Sequence, residues 1–460
     1  MSAPRIDLKD VITTTVLSGL HYPRPPRELQ VSIDEAPVGH LTEAANLWRF
    51  TYAPEWLGNA YRFPLAPALP LQEAAIADGS SQRPVQWYFD NLLPEEQQRT
   101  LMATDARVDG ADAFALLAAY GAESAGSLTL LPPGTHLLPG GREPLPDREL
   151  STRIQGLPRT SLAAGAAKRM SLAGAQHKLA IIEVGEELYQ PLGAEPSTHI
   201  LKPDSTSSSY PHSVINEWFV MRLAQRMGLQ VPRIERRYVP EPVFIIERFD
   251  REITADAIHR RHAIDACQLL NLDRQFKYTL GSIDTLKVIV EQCRSKLKTR
   301  VRLFDWLIFN VLTGNNDAHL KNLSFLVDSS GIELAPHYDL LSTASYETRA
   351  YADEGARWPE RSELSWPILG VARFHDLRFE HLVSAGEALG LGRPAATRQL
   401  RHQIDRIASE AQSLYAEVLQ ENQQWLTRFT IGPTLEGEVH FLRTLVHVII
   451  ADMVRQLSPA

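Results

Sequence analysis

A chain of 460 residues is too long for one ordinary hydrophobic core and suits two or three domains. Its 44% hydrophobic and 22% charged content is that of a water-soluble globular protein, and a formal net charge of −8 argues against a globally basic nucleic-acid or membrane binder, leaving room only for a local basic patch. Cys267 and Cys293 show no metal-ligand spacing and suit a reducing cytoplasm. Residues 1–30 hold no apolar leader, and no stretch approaches ~20 uninterrupted apolar residues, so a cytoplasmic chain without a membrane span is expected.

In chain order, residues 1–28 carry Pro23-Arg24-Pro25-Pro26 and read as an irregular lead-in. Leu29 to Ile33 alternates, Asp34 to Pro37 turns, Val38 to Leu41 returns, and Asn46 to Tyr52 makes a third strand. Trp87-Tyr88-Phe89 opens a mostly helical stretch that runs to Tyr120, and these aromatics are expected in the core rather than on a partner surface. Ala122 to Gly126 is a run of small residues ending in a strand, Leu128 to Leu130. Residues 132–147 hold Pro-Pro-Gly, Pro-Gly-Gly and Pro-Leu-Pro and read as a linker between a 29–131 subdomain and a second domain starting at 148.

Residues 148–250 have the parts of a nucleotide-binding lobe. Ser171-Leu172-Ala173-Gly174-Ala175-Gln176-His177-Lys178 is a loop of small residues running into the strand Leu179 to Val184. Small side chains let backbone N–H groups approach phosphate oxygens, although taken alone the loop is simply the start of a hairpin. A looser copy, Ser161 to Lys168, precedes it. His199 to Pro203 is a strand carrying Lys202, and Val214 to Met227 is a helix carrying Glu217. A strand lysine paired with a helix glutamate holds nucleotide phosphates in protein kinases; the plainer alternatives are an exposed strand-end lysine and a helix-start carboxylate. Val243 to Asp250 is an apolar strand turning polar, where a kinase hinge would meet adenine.

From Arg261 the pattern turns helical: Ile264–Leu272, Ile283–Lys298, Val301–Thr313, Phe379–Leu389, Ala395–Gln420 and Glu436–Gln456. Leu303 to Leu312 is apolar nearly all round, as in a buried helix, and Gly314 ends it. Asp317 comes next, then Asn322 five residues on, a hairpin over 323–334, and a second carboxylate, Asp339. Asn and Asp also favour plain turns. In this order, however, they match the catalytic loop and metal-binding aspartate of a protein kinase: Asp317 as proton acceptor, Asn322 and Asp339 as magnesium ligands.

These residues resemble the HipA family of bacterial serine/threonine kinases, the toxin half of HipA–HipB toxin–antitoxin pairs. The resemblance is carried by Tyr52 to Leu57, Phe89-Asp90-Asn91-Leu92-Leu93-Pro94, Glu123 to Leu128, Ser171 to Lys178, His199 to Lys202, Glu247 to Asp250, Asn316 to Asn322 and Pro336 to Ser342. It implies an α+β, protein-kinase-like bilobal fold: a small β-rich nucleotide lobe (148–250) and a larger helical lobe (251–460), preceded by a small mixed α/β amino-terminal subdomain. It implies ATP and Mg2+ as cofactors. Ala173, Gly174, Ala175, Gln176, His177, Lys178, Lys202, Glu247, Arg248, Phe249, His319, Tyr338 and Asp339 would surround ATP. Ser171 matches the family's autophosphorylated serine, where a phosphate would add about −1.5 to −2 charge beside the nucleotide and switch the enzyme off. The implied partners are a HipB-like helix-turn-helix antitoxin and an aminoacyl-tRNA synthetase substrate, with DNA reached only through the antitoxin. Two other readings fit the same residues: a catalytically silent nucleotide- or antitoxin-binding corepressor, and a kinase acting on a lipid or small-molecule hydroxyl. The 345–375 segment carries no motif of the family.

Overall fold

The computed structural model describes residues 27–162, 170, 172–174, 176–254, 257–352 and 355–458. Arg27–Ile33, Ala36–Ala44 and Leu47–Tyr52 form an antiparallel meander in which Leu29 faces Leu41 and Leu41 faces Phe50. Alternation along these strands sends Leu29, Val31, Leu41, Trp48 and Phe50 to one buried face. Leu128–Leu131 closes one side of the sheet and the short Ile76–Ala77 strand the other. The helices Pro84–Asp90, Glu96–Ala106 and Ala113–Tyr120 complete this first unit. Tyr88 and Phe89 are core residues, as expected, and Trp87 is half-buried.

The second unit is a six-stranded antiparallel sheet in the order Ile234–Tyr238, Pro242–Glu247, His199–Pro203, Leu179–Val184, Glu187–Leu192, Gly141–Pro144. Its last strand comes from the stretch read as linker: Gly141 to Pro144 pair with Leu192 to Tyr189. The helix Ser213–Arg226 packs against the sheet, with Ile215, Phe219 and Leu223 fully buried. Its first turn is capped from a distance by Asp204, which accepts from the Val214 N–H at 2.8 Å.

The third unit is helical. Lys296–Thr313 buries Leu303, Phe304, Ile308, Phe309 and Leu312 completely, each worth about 1.5–3 kcal/mol relative to exposure. Gly314 ends it in the left-handed region at φ 64°. The 36-residue helix Arg393–Arg428 runs alongside, burying Leu400, Ile407, Leu414 and Val418 at helical spacing. The whole is a protein-kinase-like bilobal fold with an added amino-terminal unit.

Several expected helices differ. Ile264–Leu272 is a strand, Ala263–Asp265, followed by one turn of helix, Ala266–Leu269. The strand pairs with Ser324–Leu326, and Asp265 and Gln268 cap the turn reciprocally, each side chain accepting the other's backbone N–H at 2.9 Å. Ile283–Lys298 ends at Gln292, because Arg294 donates its N–H to Ile332 of the neighbouring hairpin. Glu436–Gln456 is two helices joined by a π-helical turn, Leu445–Ile450. Glu363–Ile368 and Val371–Arg373 form a hairpin in the segment that carries no family motif.

Candidate active site

The buried helix Lys296–Thr313 delivers the loop 314–322 into a cleft of about 830 Å³ between the sheet and the helical unit. The loop is held by its own amides. Asn315 donates to Asn310 at 2.7 Å and accepts the Asp317 N–H at 3.0 Å. Asn316 donates its N–H to Thr343 and its side chain to Glu347. Ser365 and Trp366, from the unexpected hairpin, both donate to the Ala318 carbonyl. Asn315 and Asn316 are therefore scaffold. Asp317 is the member of the Asn-Asn-Asp run that offers a carboxylate to the cleft, with one oxygen accepting from Tyr278 at 2.6 Å. Burial pushes the Asp317 carboxyl up, the Tyr278 hydrogen bond opposes this, and the Asp339 charge adds to the rise. Asn322 donates its amide to the Asp317 carbonyl at 3.0 Å, which leaves its side-chain oxygen for a cation.

Asp339 reaches the same cleft from beyond the hairpin Ser324–Asp328/Gly331–Leu334, with its backbone in the left-handed region at φ 51°. Such conformations are sparsely populated, and Asp tolerates them better than most residues. The Lys202 ammonium donates to Glu217 at 2.7 Å and also to Asp339. Burial works against the Lys202 charge, but the two carboxylates outweigh it and hold the lysine protonated. Burial also opposes ionisation of Asp339, and here Lys202 and Lys178 win, holding it well below the usual carboxylate range. One cation thus ties the strand, the helix and the segment that follows the hairpin.

In the small-residue loop, Lys178 curls back to donate to the Ala173 carbonyl at 2.6 Å, and burial together with the nearby Lys202 lowers it to about 8. Ala173, Gly174, Gln176 and Lys178 line the cleft. Ser171 and Ala175 lie outside the described residues, as does most of the upstream copy, 163–168. His177 departs from the expectation: its ring faces away from the cleft, to Gln98 of the amino-terminal unit at 2.9 Å. Arg248 departs as well. Its guanidinium is spent on Asp250, Glu123, Ser197 and the Ser124 carbonyl, so only its backbone is available to the cleft. Glu247 and Phe249 flank it at the cleft wall, and the Phe249 ring stacks on Tyr338 with centroids 5.6 Å apart. Tyr338 spends its hydroxyl on the Lys321 carbonyl and Ser324. Burial, with Lys277 nearby, lowers His319 to about 4, leaving a neutral imidazole.

Sequence reasoning missed a second layer. Lys321 donates to Asn91 and to Asp265, and Lys277 to Glu95, so the Phe89–Pro94 motif of the amino-terminal unit sits directly on the 314–322 loop. The Asp265/Gln268 capping box was the available signal for part of it.

The residues fit the implied cofactors. Pockets for small ligands run to roughly 300–1,000 Å³, which accommodates this cleft. Magnesium takes one or two protein oxygens and fills its other sites with water and phosphate. Asn322 and Asp339 meet that demand, and among the described residues no cluster of three His, Cys, Asp or Glu competes for a metal.

A β-rich lobe and a helical lobe meeting at a lysine–glutamate pair and an Asp/Asn/Asp set define the protein-kinase-like class. Residues 170–415 match the family described as HipA-like C-terminal domain, and residues 29–131 match the HipA N-terminal domain. The sequence is 31% identical to the serine/threonine-protein kinase toxin HipA of Shewanella oneidensis over 342 residues, covering 69% of this chain and 76% of that protein. It is 38% identical to the Y4mE protein of Sinorhizobium fredii over 337 residues, covering 70% of this chain and 78% of that one. The solved complex of Shewanella oneidensis HipA with HipB and operator DNA superposes with a TM-score of 0.72 at 25% identity, covering 94% of this chain and 100% of that chain. This chain belongs to the HipA family.

Proposed function

We propose that this chain is an ATP- and magnesium-dependent serine/threonine protein kinase that acts in the cytoplasm as the toxin of a HipA–HipB-type pair. The observation that carries the reading is the convergence of Asp317, Asn322, Asp339 and the Lys202–Glu217 pair on one cleft beside the small-residue loop.

Lys202, fixed by Glu217, would bind the phosphates, with the cleft-lining residues 172–174, 176 and 178 offering backbone groups to them. Glu247 to Phe249 offer backbone groups and an aromatic face to the base. Asp317, its carboxyl raised by burial, accepts the proton of the acceptor hydroxyl. Asn322 and Asp339 would hold magnesium, whose charge would offset that developing on the transferred phosphoryl group. His319, neutral, walls the site without adding charge.

A HipB-like antitoxin is the partner this reading takes from the Shewanella oneidensis HipA–HipB–DNA complex, and its helix-turn-helix character, with DNA reached through it, rests on the family resemblance. An aminoacyl-tRNA synthetase is the proposed substrate, resting on the family resemblance. Ser171 adjoins the cleft-lining stretch 172–174, so a phosphate there would repel those of the nucleotide. No helix among the described residues is long and apolar enough to cross a membrane.

The test is phosphate transfer from labelled ATP by the purified chain, with phosphoproteomics after brief induction against the Asp317→Ala form. The expected result is transfer to serine or threonine that Asp317→Ala and Asp339→Ala abolish. Transfer surviving both changes rejects the assigned roles.

A further inference from the structure

The amino-terminal unit lies outside both kinase lobes, yet one of its residues reaches both sides of the cleft. Glu95 is 5% exposed. Its backbone N–H donates to the Gly174 carbonyl at 3.2 Å, and its neighbour Pro94 forms a β-bridge with Gly174. That end of Glu95 is thus pinned to the small-residue loop above the cleft. Its carboxylate points the other way. One oxygen accepts from Lys277, and the other lies 3.8 Å from the Lys321 ammonium and, among the described residues, accepts no hydrogen bond.

Both lysines belong to the frame of the catalytic loop. Lys277 accepts the Leu320 N–H on its carbonyl at 3.1 Å, directly after His319. The next residue, Tyr278, donates its hydroxyl to Asp317 at 2.6 Å and sets its ring edge-on to His319 with centroids 4.9 Å apart. Lys321 is fixed in turn by Asn91 and Asp265. The path from Gly174 to Asp317 therefore runs Glu95, Lys277, Tyr278, with a hydrogen bond or a shared backbone at every step.

We propose that Glu95 and Tyr278 are positioning residues of the phosphotransfer site, through which the amino-terminal unit aligns the phosphate-binding loop with Asp317. The proposal rests on the reading of Asp317 as proton acceptor. A carboxylate is free to rotate about its last bond, and a proton acceptor works only when one oxygen faces the attacking hydroxyl. Tyr278 occupies Oδ1 and so leaves Oδ2 for the acceptor. Tyr278 is 46% exposed, so packing alone holds it weakly. Its place follows from the backbone of Lys277, which accepts the Leu320 N–H, and the Lys277 side chain is anchored by its buried pair with Glu95. Glu95 also touches the loop that lies against the phosphates. A shift of the amino-terminal unit would therefore move donor and acceptor sides together.

Tyr278→Phe removes one hydroxyl and leaves the buried ion cluster intact. Glu95→Gln keeps the shape and removes the charge. Both are compared with the unmodified chain for phosphate transfer, nucleotide binding, melting temperature and amide exchange over residues 314–323. Each variant is expected to lower kcat by about 10- to 100-fold with the KM for ATP changed less than about twofold. Tyr278→Phe should melt as the parent does. The double variant should be no slower than the slower single one, because both act on one path. Amide exchange over 314–323 should quicken in Glu95→Gln, although the substituted residue belongs to another unit of the fold. Multiplying losses in the double variant, or unchanged exchange and unchanged kcat in Glu95→Gln, would overturn the proposal. An unmodified chain that transfers no phosphate would instead reject the function proposed above, and the exchange measurement would still decide whether Glu95 and the catalytic loop are coupled.

Discussion

Lys202 donates to Glu217 across 2.7 Å, although the two stand 15 residues apart on a strand and the helix that succeeds it. Because the same ammonium is bonded to Asp339, the strand, the helix and the segment that follows the hairpin share one buried charge. Its removal leaves the buried Glu217 carboxylate beside that of Asp339, which is half-buried at the cleft.

Lys202→Met should therefore cost both stability and activity. Leaving buried charge without its partner costs about 3–5 kcal/mol, to be read as a drop in unfolding free energy by urea titration. Phosphate transfer should fall by about 100-fold or more, since the proposed role of Lys202 is that of a preorganised cation on the phosphates. Glu217→Gln is the contrasting variant. It keeps an acceptor for Lys202 and should stay within about 1–2 kcal/mol of the parent while still slowing transfer.

Asp317→Asn separates binding from chemistry. The amide keeps the size of the side chain and can still meet Tyr278, but it cannot take a proton. Turnover should fall by about 10²- to 10⁴-fold, the usual contribution of a positioned base. Nucleotide affinity, measured by calorimetry or fluorescence, should change little, because Lys202, Asn322 and Asp339 are untouched.

The same contrast between local and distant partners explains what the sequence could reveal. Asp317, Asn322 and Asp339 are legible because their spacing is set by one helix end and one hairpin, both written in adjacent residues. The Lys202–Glu217 pair is legible because strand and helix are consecutive. His177 misleads because the residue that claims it, Gln98, is 79 positions away. Arg248 misleads for the same reason: Glu123, its partner, lies 125 positions upstream in another unit. The strand Ala263–Asp265 passes for helix because three residues carry no period, and only their pairing with Ser324–Leu326 decides their shape. The supporting hairpin at 363–373 has no local signal strong enough to place it under the 314–322 loop.

Gly314 should tolerate no side chain. Its φ of 64° disfavours any residue with a Cβ, and an added Cβ would lie 2.8 Å from both the Ala344 and Ile449 side chains. Overpacking of this kind costs about 1–3 kcal/mol beyond the backbone penalty. Gly314→Ala should accordingly lower the melting temperature, and it should also reduce transfer, because relief of the contact moves the loop that begins at Asn315. A variant that melts normally but has lost transfer would place the effect on the loop alone.

The joint between the amino-terminal unit and the hinge should be acid-labile. Asp250 accepts from Arg248 through both oxygens, at 2.9 and 2.7 Å, and from the Gly126 N–H at 2.7 Å. Burial alone would raise this carboxyl, but Arg248 and Arg251 outweigh it and hold it at about 2. In the unfolded chain it titrates near ~3.9, so between these values the unfolded state binds more protons and stability falls as the pH falls. The contribution, about 2–3 kcal/mol, is complete above the unfolded value, about half gone by pH 3, and lost below about 2. Asp250→Asn mimics the protonated form. The gap in unfolding free energy between parent and variant should therefore be widest at pH 7 and narrow steadily below about pH 4. A gap that stays constant down to about pH 3 would mean that the two arginines do not hold the carboxylate ionised, and that hydrogen bonding alone joins Gly126 to the hinge.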